Sequence, residues 1–544
     1  MYTEILLVLP VAIYLTIRWR NTSNGDDVAL VPGPKSDHFL AGNMATLAAS
    51  ASDAAAMAWA KTYGGVVKLH GVLGVQRHVL LISDPAALRR IFGSASGQWD
   101  RTPRDLASFR DKFGPGIAAV EGADHVRQRR IVSQALNPAE VRGMISPVQA
   151  ASRTTRNALR KACLSSGSRA TKLDMLDWSR RCALDSLTMF AFGTTIHAVE
   201  DPDKGHDILH TFDAMLEDCI GVTTPFKYWL RDTAASNIYP SLLGLALVDY
   251  NFFRSAFKTF KRLAQFGQWV RTQREEHGSL VGSGNDLLSY LEKASKEESN
   301  KYKLSDQEIQ GQIGQILFAG HDTVSTSLAM LLNDLAKYPK IQERLREEIM
   351  AKQAEIGDED ATFTQDDYDS MPYLNGVIKE SMRFNPVLGQ TSRLNRADDV
   401  LPLTEPIVGT DGKVLNQIAV KKGTWVVVDV ASSNRRKDVW GEDADTFNPE
   451  RWLRTGANAL PMAKTPGAVY GSLLGFMAGN RTCPGWRIAV LELQVFVCDI
   501  VQGFRIHAIP GVDIEREFHG VSILKVIGNP VRGGEVPLML EPLS

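Results

Sequence analysis

Cysteine is scarce in this chain. There are five in 544 residues (Cys163, Cys182, Cys219, Cys483 and Cys498), and none forms a Cys-x-x-Cys pair. An odd number without that spacing argues against both a disulfide framework and a zinc site, and it fits a reducing compartment. Excess charge of either sign is also missing, with 61 Lys and Arg against 62 Asp and Glu. No global field therefore draws the chain to nucleic acid or to an anionic substrate. There is no internal repeat, no low-complexity tract, and no composition shift that would divide residues 45–544. What remains is a large chain of ordinary globular composition, long enough to bury a sizeable core.

Long apolar runs are rare, and the one at the start is distinctive. From Ile5 to Ile17 every residue is apolar, Tyr or Pro except Thr16, and Arg18 and Arg20 follow at once. The uninterrupted run is shorter than a bilayer span, which by itself suits a signal peptide or a core helix. A signal peptide, however, needs a basic residue where Glu4 stands and a small-residue cleavage site. With Tyr2 and Trp19 at its two ends the segment approaches spanning length, and the arginines belong on the cytoplasmic side. Residues 1–20 are therefore expected to be a membrane anchor. Residues 21–44 are polar and contain Val31-Pro-Gly-Pro34, a stiff exit from the membrane. Residues 45–544 form one expected catalytic domain.

Helical periodicity dominates the body. Ser305 with Glu308 three residues later has capping-box spacing. Ile309, Ile313, Ile316, Gly320, Thr323, Val324 and Leu331 then recur at helical intervals, which predicts a helix long enough to cross the domain. Strand-like runs are few: Val66–Leu69, Val79–Ile82, Thr424–Val430 and hairpin-like pieces near the C-terminus. The expected fold class is mainly α with a smaller β-rich portion.

The chemistry concentrates in Phe476-Met-Ala-Gly479-Asn-Arg481-Thr-Cys483-Pro484-Gly485. A lone cysteine is more often an inert core residue than a ligand, but these neighbours reverse that preference. Gly479 permits a sharp turn and close backbone approach to a flat cofactor. Arg481, two residues before the sulfur, can pair with an anionic group. The loop leads into an apolar helical run from Trp486 to Val497, and a helix N-terminus favours a thiolate.

On these residues the sequence resembles the cytochrome P-450 superfamily, of the microsomal eukaryotic type, possessing its Phe-x-x-Gly-x-Arg-x-Cys-x-Gly pattern at every fixed position. The resemblance implies a single large haem domain of that fold, with Cys483 as axial ligand of the iron in haem b and Phe476 packed on the sulfur side. Thiolate ligation pushes electron density towards the iron and favours O–O cleavage.

Three further motifs follow in the family's order. Ala319-Gly320-His321-Asp322-Thr323 lies in the long predicted helix. Taken alone it is an ordinary helical stretch, but Asp is a poor helix residue and a mid-helix Thr can bond back to an earlier carbonyl. Small residues leave room for dioxygen, and an acid beside a hydroxyl can relay protons. The resemblance places Asp322 and Thr323 over the distal haem face in that role. Glu380-Ser-Met-Arg383 alone reads as a surface ion pair worth a few tenths of a kcal/mol. With Arg451 in Phe447-Asn-Pro-Glu-Arg451-Trp452, the resemblance makes it a structural lock beneath the haem. Trp452 stands where many members have Phe, which threatens nothing. Arg393, ten residues past Arg383, falls at the family's propionate-binding position. Gly122-Ala-Asp-His125-Val-Arg127-Gln-Arg129-Arg130 places His125 and Arg129 on one helical face. The family usually has Trp where His125 stands, and both positions reach a propionate. The other basic face, with Lys464 and Arg487, could meet an acidic electron donor or serve solubility alone.

No flavin or nicotinamide fingerprint is visible, so electrons are expected from a separate protein, which the resemblance implies is an NADPH-dependent reductase in the same membrane, that of the endoplasmic reticulum. The expected reaction inserts one oxygen atom from O2 into a lipophilic molecule: terpenoid, sterol, fatty acid or aromatic, in a fungal secondary-metabolic setting. By resemblance the pocket is lined by Arg104–Val120, Phe226–Phe252, the stretch around Ala319, Val387–Thr391 and Gly520–Ile523. Two other readings stand beside it. One is a haem-thiolate peroxide isomerase or dehydratase, which needs no reductase and no proton relay. The other is a haem-binding sensor or carrier.

Overall fold

The computed structural model describes residues 27–543, apart from 94–96, 221–223, 238–249, 279–285, 298–301, 358–361, 457–458, 462–464, 519–520 and 530–532. The expected anchor (1–20) and the first part of the hinge lie outside the described residues, as does Lys464. Among the described residues no helix is long and apolar enough to cross a membrane.

Helices form most of the chain. Eight position the site: α1 (Pro103–Phe113), α2 (Gly122–Ala135), α3 (Met175–Phe192), α4 (Pro202–Ile220), α5 (Tyr250–His277), α6 (Asp306–Lys337), α7 (Pro372–Phe384) and α8 (Trp486–Gly503). The long helix α6 starts where the capping box predicts. The Ser305 side chain accepts from the Glu308 N–H, and the Glu308 carboxylate accepts from the Ser305 N–H at 2.9 Å. Its 32 residues span about 48 Å at 1.5 Å per residue. It is buried nearly all round, because α3, α5 and α8 all pack against it. Gly320 lets α3 come close: a Cβ there would lie 2.8 Å from a Leu187 methyl.

The strand content is larger than the sequence reading expected. A five-stranded sheet runs β1 (Val66–His70), β2 (His78–Ile82), β8 (Trp425–Asp429), β5 (Gln390–Asn395), β3 (Trp99–Asp100). Only the β2–β8 pair in it is parallel. A hairpin joins β6 (Asp399–Val408) to β7 (Val414–Val420), and another joins β10 (Ile514–Phe518) to β11 (Ser522–Val526). The remaining sheet orders β4 (Thr171–Asp174), β12 (Pro537–Pro542) and β9 (Phe504–His507). The main core lies among the helices, with a second cluster between the five-stranded sheet and the cysteine loop. Among the described residues Cys163, Cys182, Cys483 and Cys498 are free thiols.

Candidate active site

The cysteine loop is folded back on itself. The Cys483 N–H donates to the Phe476 carbonyl at 2.8 Å, and the Thr482 hydroxyl donates to the Gly479 carbonyl at 2.7 Å. Gly479 sits at φ +68°, the left-handed region that glycine tolerates best. A Cβ there would meet the Phe92 carbonyl oxygen at 2.2 Å. The close approach that demands this glycine is thus to the backbone at the end of the helix Pro85–Gly93, rather than to a cofactor. Helix α8 begins just beyond, with Gly485 as its N-cap.

Cys483 lies deep in the protein yet keeps accessible surface, so it borders an interior space. Burial pushes its thiol up, opposed by the Gly485 N–H and the Arg129 cation. The Gly485 N–H at the helix N-terminus pulls the thiol down, and desolvation is the larger effect. A coordinated cation would reverse that balance, because it deprotonates a thiol outright.

Around that space four guanidiniums converge. Arg129 donates to the Thr482 carbonyl. Arg393, on β5, is 2% exposed and donates to Thr391 Oγ1 at 3.0 Å and the Ser392 carbonyl at 2.7 Å. Burial, with Arg101 and Arg481 nearby, pushes it down to about 9. Arg481 donates to Asp100 at 2.7 and 3.1 Å and to the Val120 carbonyl at 2.8 Å. Arg101, which the motif reading missed, is lowered chiefly by burial, and its Nε is a buried donor without a partner. His125 is 5% exposed and pushed down to about 4 by burial and by Arg481, so it is neutral at physiological pH. The nearest counter-charges are Asp100 and Asp105. Neither was singled out from the sequence, although the run Trp99-Asp-Arg101 beginning a short strand was a usable signal.

Helix α6 forms the other wall. Between Gly311 and Ala336, where the helix is otherwise buried, Ile316, Ala319, Gly320, Thr323 and Ser327 keep accessible surface. Their three- and four-residue spacing makes one stripe. Ala319 is the small residue on this stripe with exposed surface, whereas the space beside Gly320 is taken by Leu187. The Thr323 hydroxyl donates to the Ala319 carbonyl at 2.7 Å, the back-bond expected of a mid-helix threonine. Asp322 faces a different side. It is 3% exposed, its Oδ2 has no hydrogen-bond partner, and burial pushes it up to about 6 against the pull of Arg180. His321 is stacked on Phe212 with centroids 5.0 Å apart, its Nδ1 lies 3.3 Å from the Leu317 carbonyl, and it belongs to no group of three or more potential metal ligands among the described residues.

One loop joins the two walls. Gln315 of α6 accepts from the Ala118 N–H at 2.8 Å, while Arg481 of the cysteine loop binds the carbonyls of Ile117 and Val120. The loop after α1 is therefore clamped from both sides. Of the other expected lining, Ser522 N–H donates to the Val387 carbonyl at 2.9 Å, and Val387 and Leu388 are partly buried. Gly520 and residues 238–249 lie outside the described residues.

The lock is the most completely satisfied part. Glu380, Arg383 and Arg451 are all fully buried. Glu380 accepts from Arg383 at 2.8 and 2.9 Å, from Arg451 at 3.0 Å and from the Asn448 N–H at 2.8 Å. The Trp452 indole adds a fifth bond at 3.0 Å. Trp452 is therefore a member of the lock, which the sequence reading did not foresee. Arg127 and Arg130 are committed elsewhere: Arg127 to Asp124 and Glu308, and Arg130 over the Tyr302 ring at 4.7 Å.

Comparison with known proteins decides the family. The family model for cytochrome P-450 matches residues 32–531. This chain belongs to the cytochrome P-450 family. It is 30% identical over 503 residues to cytochrome P-450 monooxygenase 81 of Postia placenta, covering 91% of this chain and 89% of the relative. It is 28% identical to ganoderic acid synthetase of Ganoderma lucidum, covering 87% of each chain. It is also 29% identical to a cytochrome P-450 monooxygenase of Ampulloclitocybe clavipes, covering 89% of this chain and 87% of that one. The chain is a P-450 monooxygenase, an oxidoreductase of a family that carries a haem iron. The residues present fit such a group. Arg101 has a buried donor without a partner, and among the described residues four guanidiniums face two nearby carboxylates, a surplus that the acid groups of a haem would neutralise.

Proposed function

We propose that this P-450 is a membrane-anchored haem-thiolate monooxygenase that inserts one oxygen atom into a lipophilic small molecule of fungal secondary metabolism. Cys483 is the proposed ligand, and haem b the proposed cofactor. The observation that carries this reading is the pair of walls: a cysteine at the border of an interior space and an accessible helical stripe holding Thr323, joined through one clamped loop. When bound, the haem supplies the activation of dioxygen.

The chain's own residues do the rest. Arg101, Arg129 and Arg393 hold anionic groups at one edge, and neutral His125 offers a ring N–H beside them. Arg481 is engaged by Asp100 and serves chiefly to fix the loop after α1. Asp322, near 6, can gain and lose a proton close to physiological pH, and Thr323 presents a hydroxyl on the stripe. Partly buried Phe109, Ile117, Ile316, Val387 and Leu388 give an apolar surround, which suits a substrate without charge. The proposed electron source is a separate NADPH-dependent reductase. The apolar run at 5–17 with its arginines supports an anchor in the endoplasmic reticulum membrane.

The test is carbon monoxide difference spectroscopy and NADPH turnover with a purified reductase. Wild type should give a thiolate-type spectrum and substrate-dependent NADPH use, and Cys483→Ala should lose both. A thiolate spectrum retained by Cys483→Ala would overturn the ligand assignment. Turnover of an organic peroxide without any reductase dependence would favour an isomerase instead.

A further inference from the structure

Helices α4 and α5 pack side by side, and between them lies a cleft of about 710 Å³. One wall is a stripe of α5 in which Arg254, Lys258, Lys261 and Arg262 follow one another at helical spacing. The facing wall of α4 carries Asp207, His210 and Thr211. Among the described residues, Asp207 is the carboxylate paired with this stripe, at 3.5 Å from Arg262. The cleft thus holds more cation than its own carboxylate neutralises.

A solvated basic face is the ordinary explanation for such a stripe, and Arg254, Lys258, Lys261 and Arg262 are all exposed, while Ala256, Leu263 and Phe266 of the same helix are buried. What sets this face apart is that its cations line a concavity whose described residues include one carboxylate, Asp207. Buried Ser255 and Thr259 add hydroxyls to the floor. Guanidinium, ammonium and hydroxyl donors gathered in one concavity are the chemistry that recognises phosphate oxygens. We propose that this cleft binds a phosphate-bearing anion, at a site separate from the haem-side cations. The volume exceeds that of one phosphate group, so the occupant carries more than a single such group or an organic remainder. The ligand is either a free phosphate compound or a phospholipid headgroup, and one experiment separates them.

The full-length holoenzyme is titrated calorimetrically with inorganic pyrophosphate at low salt. In parallel it is floated with phosphatidylcholine vesicles made with and without phosphatidic acid. The cleft variant is Arg254→Gln/Lys258→Gln/Lys261→Gln. A control variant, Lys340→Gln/Lys413→Gln/Lys422→Gln, removes equal charge from distant exposed positions. Circular dichroism and the haem spectrum confirm that both variants are folded. Each lost cation is expected to weaken binding about fivefold, and the cleft variant about a hundredfold in all. Saturable pyrophosphate binding that the cleft variant loses assigns a free phosphate ligand. Flotation that phosphatidic acid raises above the level the N-terminal anchor gives with phosphatidylcholine alone, with that rise lost in the cleft variant, assigns a headgroup. Absence of both, binding that the cleft variant keeps, or equal loss in the control variant overturns the proposal.

Discussion

Replacing Trp452 by Phe removes the indole N–H that donates to Glu380 at 3.0 Å and leaves the other four donors to that carboxylate in place. The acceptor is a fully buried carboxylate, so the bond is of the charge-assisted kind, worth about 1.5–3 kcal/mol. Part of any measured loss will come from packing, because the indole also lies 5.5 Å from the Trp440 ring. A double-mutant cycle with Glu380→Gln separates the two. The packing loss is common to both backgrounds, whereas a neutral amide keeps only an ordinary bond of about 0.5–1.5 kcal/mol. The expected coupling is therefore about 1 kcal/mol. Urea unfolding followed by far-ultraviolet circular dichroism supplies the four midpoints without relying on the tryptophan removed. Additivity within about 0.3 kcal/mol would refute the claim that Trp452 belongs to the lock. Glu380→Ala goes further, leaving two buried guanidiniums without their shared partner, at a cost of about 3–5 kcal/mol.

Thr323→Ala should retain the carbon monoxide spectrum while NADPH use runs ahead of product, measured as the ratio of the two rates; an unchanged ratio would remove Thr323 from proton handling. Asp322 is raised from 3.8 to about 6 by burial, so the unfolded chain ionises it more readily and its penalty on folding grows as pH rises from about 4 to 6. Asp322→Asn should thus be the more stable protein at pH 7 by up to about 3 kcal/mol, with the gap in urea midpoint closing as pH falls through that window. Arg101→Met should stabilise the haem-free protein, since it removes a buried cation with an unpartnered donor, while speeding haem loss to apomyoglobin. Slower or unchanged haem loss would mean that Arg101 does not serve the cofactor edge.

Much of the site was legible because its motifs are local. The capping box at Ser305, the helix after Gly485 and the lock residues Glu380 and Arg383 each lie within one turn or one loop. What stayed hidden is long-range. Asp100 meets Arg481 across most of the chain, and nothing near either residue encodes the pairing. Gly479 was read as making room for a cofactor, but the atom that excludes a side chain is the carbonyl of Phe92, near the end of the helix Pro85–Gly93. Gly320 is likewise small because Leu187 of a neighbouring helix occupies its flank. The strands β5 to β7 were underestimated for a different reason. Asp399–Val408 alternates imperfectly, with Pro402 and Pro406 in the run, which demotes it in any period-two reading. The Gly409-Thr-Asp-Gly412 turn was the available signal for the hairpin.

The two arginine clusters of this protein show how burial separates structure from ligand. In the lock, Arg383 and Arg451 share Glu380, and Arg451 also reaches Asp443 at 3.1 Å, while backbone carbonyls of Asn434, Ala444 and Trp440 take further donors. Charge and hydrogen bonds both close within the chain, as folding alone requires of buried ions. The cluster of Arg101, Arg129, Arg393 and Arg481 does not close. Arg393 is driven down to about 9, Arg101 keeps a bare buried donor, and His125 is held neutral beside them. A core selected only for stability would have discarded such a surplus, because each unpaired buried cation costs several kcal/mol. Its persistence beside Cys483 implies an anionic partner in the working protein, which is why removing Arg101 should move apoprotein stability and haem retention in opposite directions.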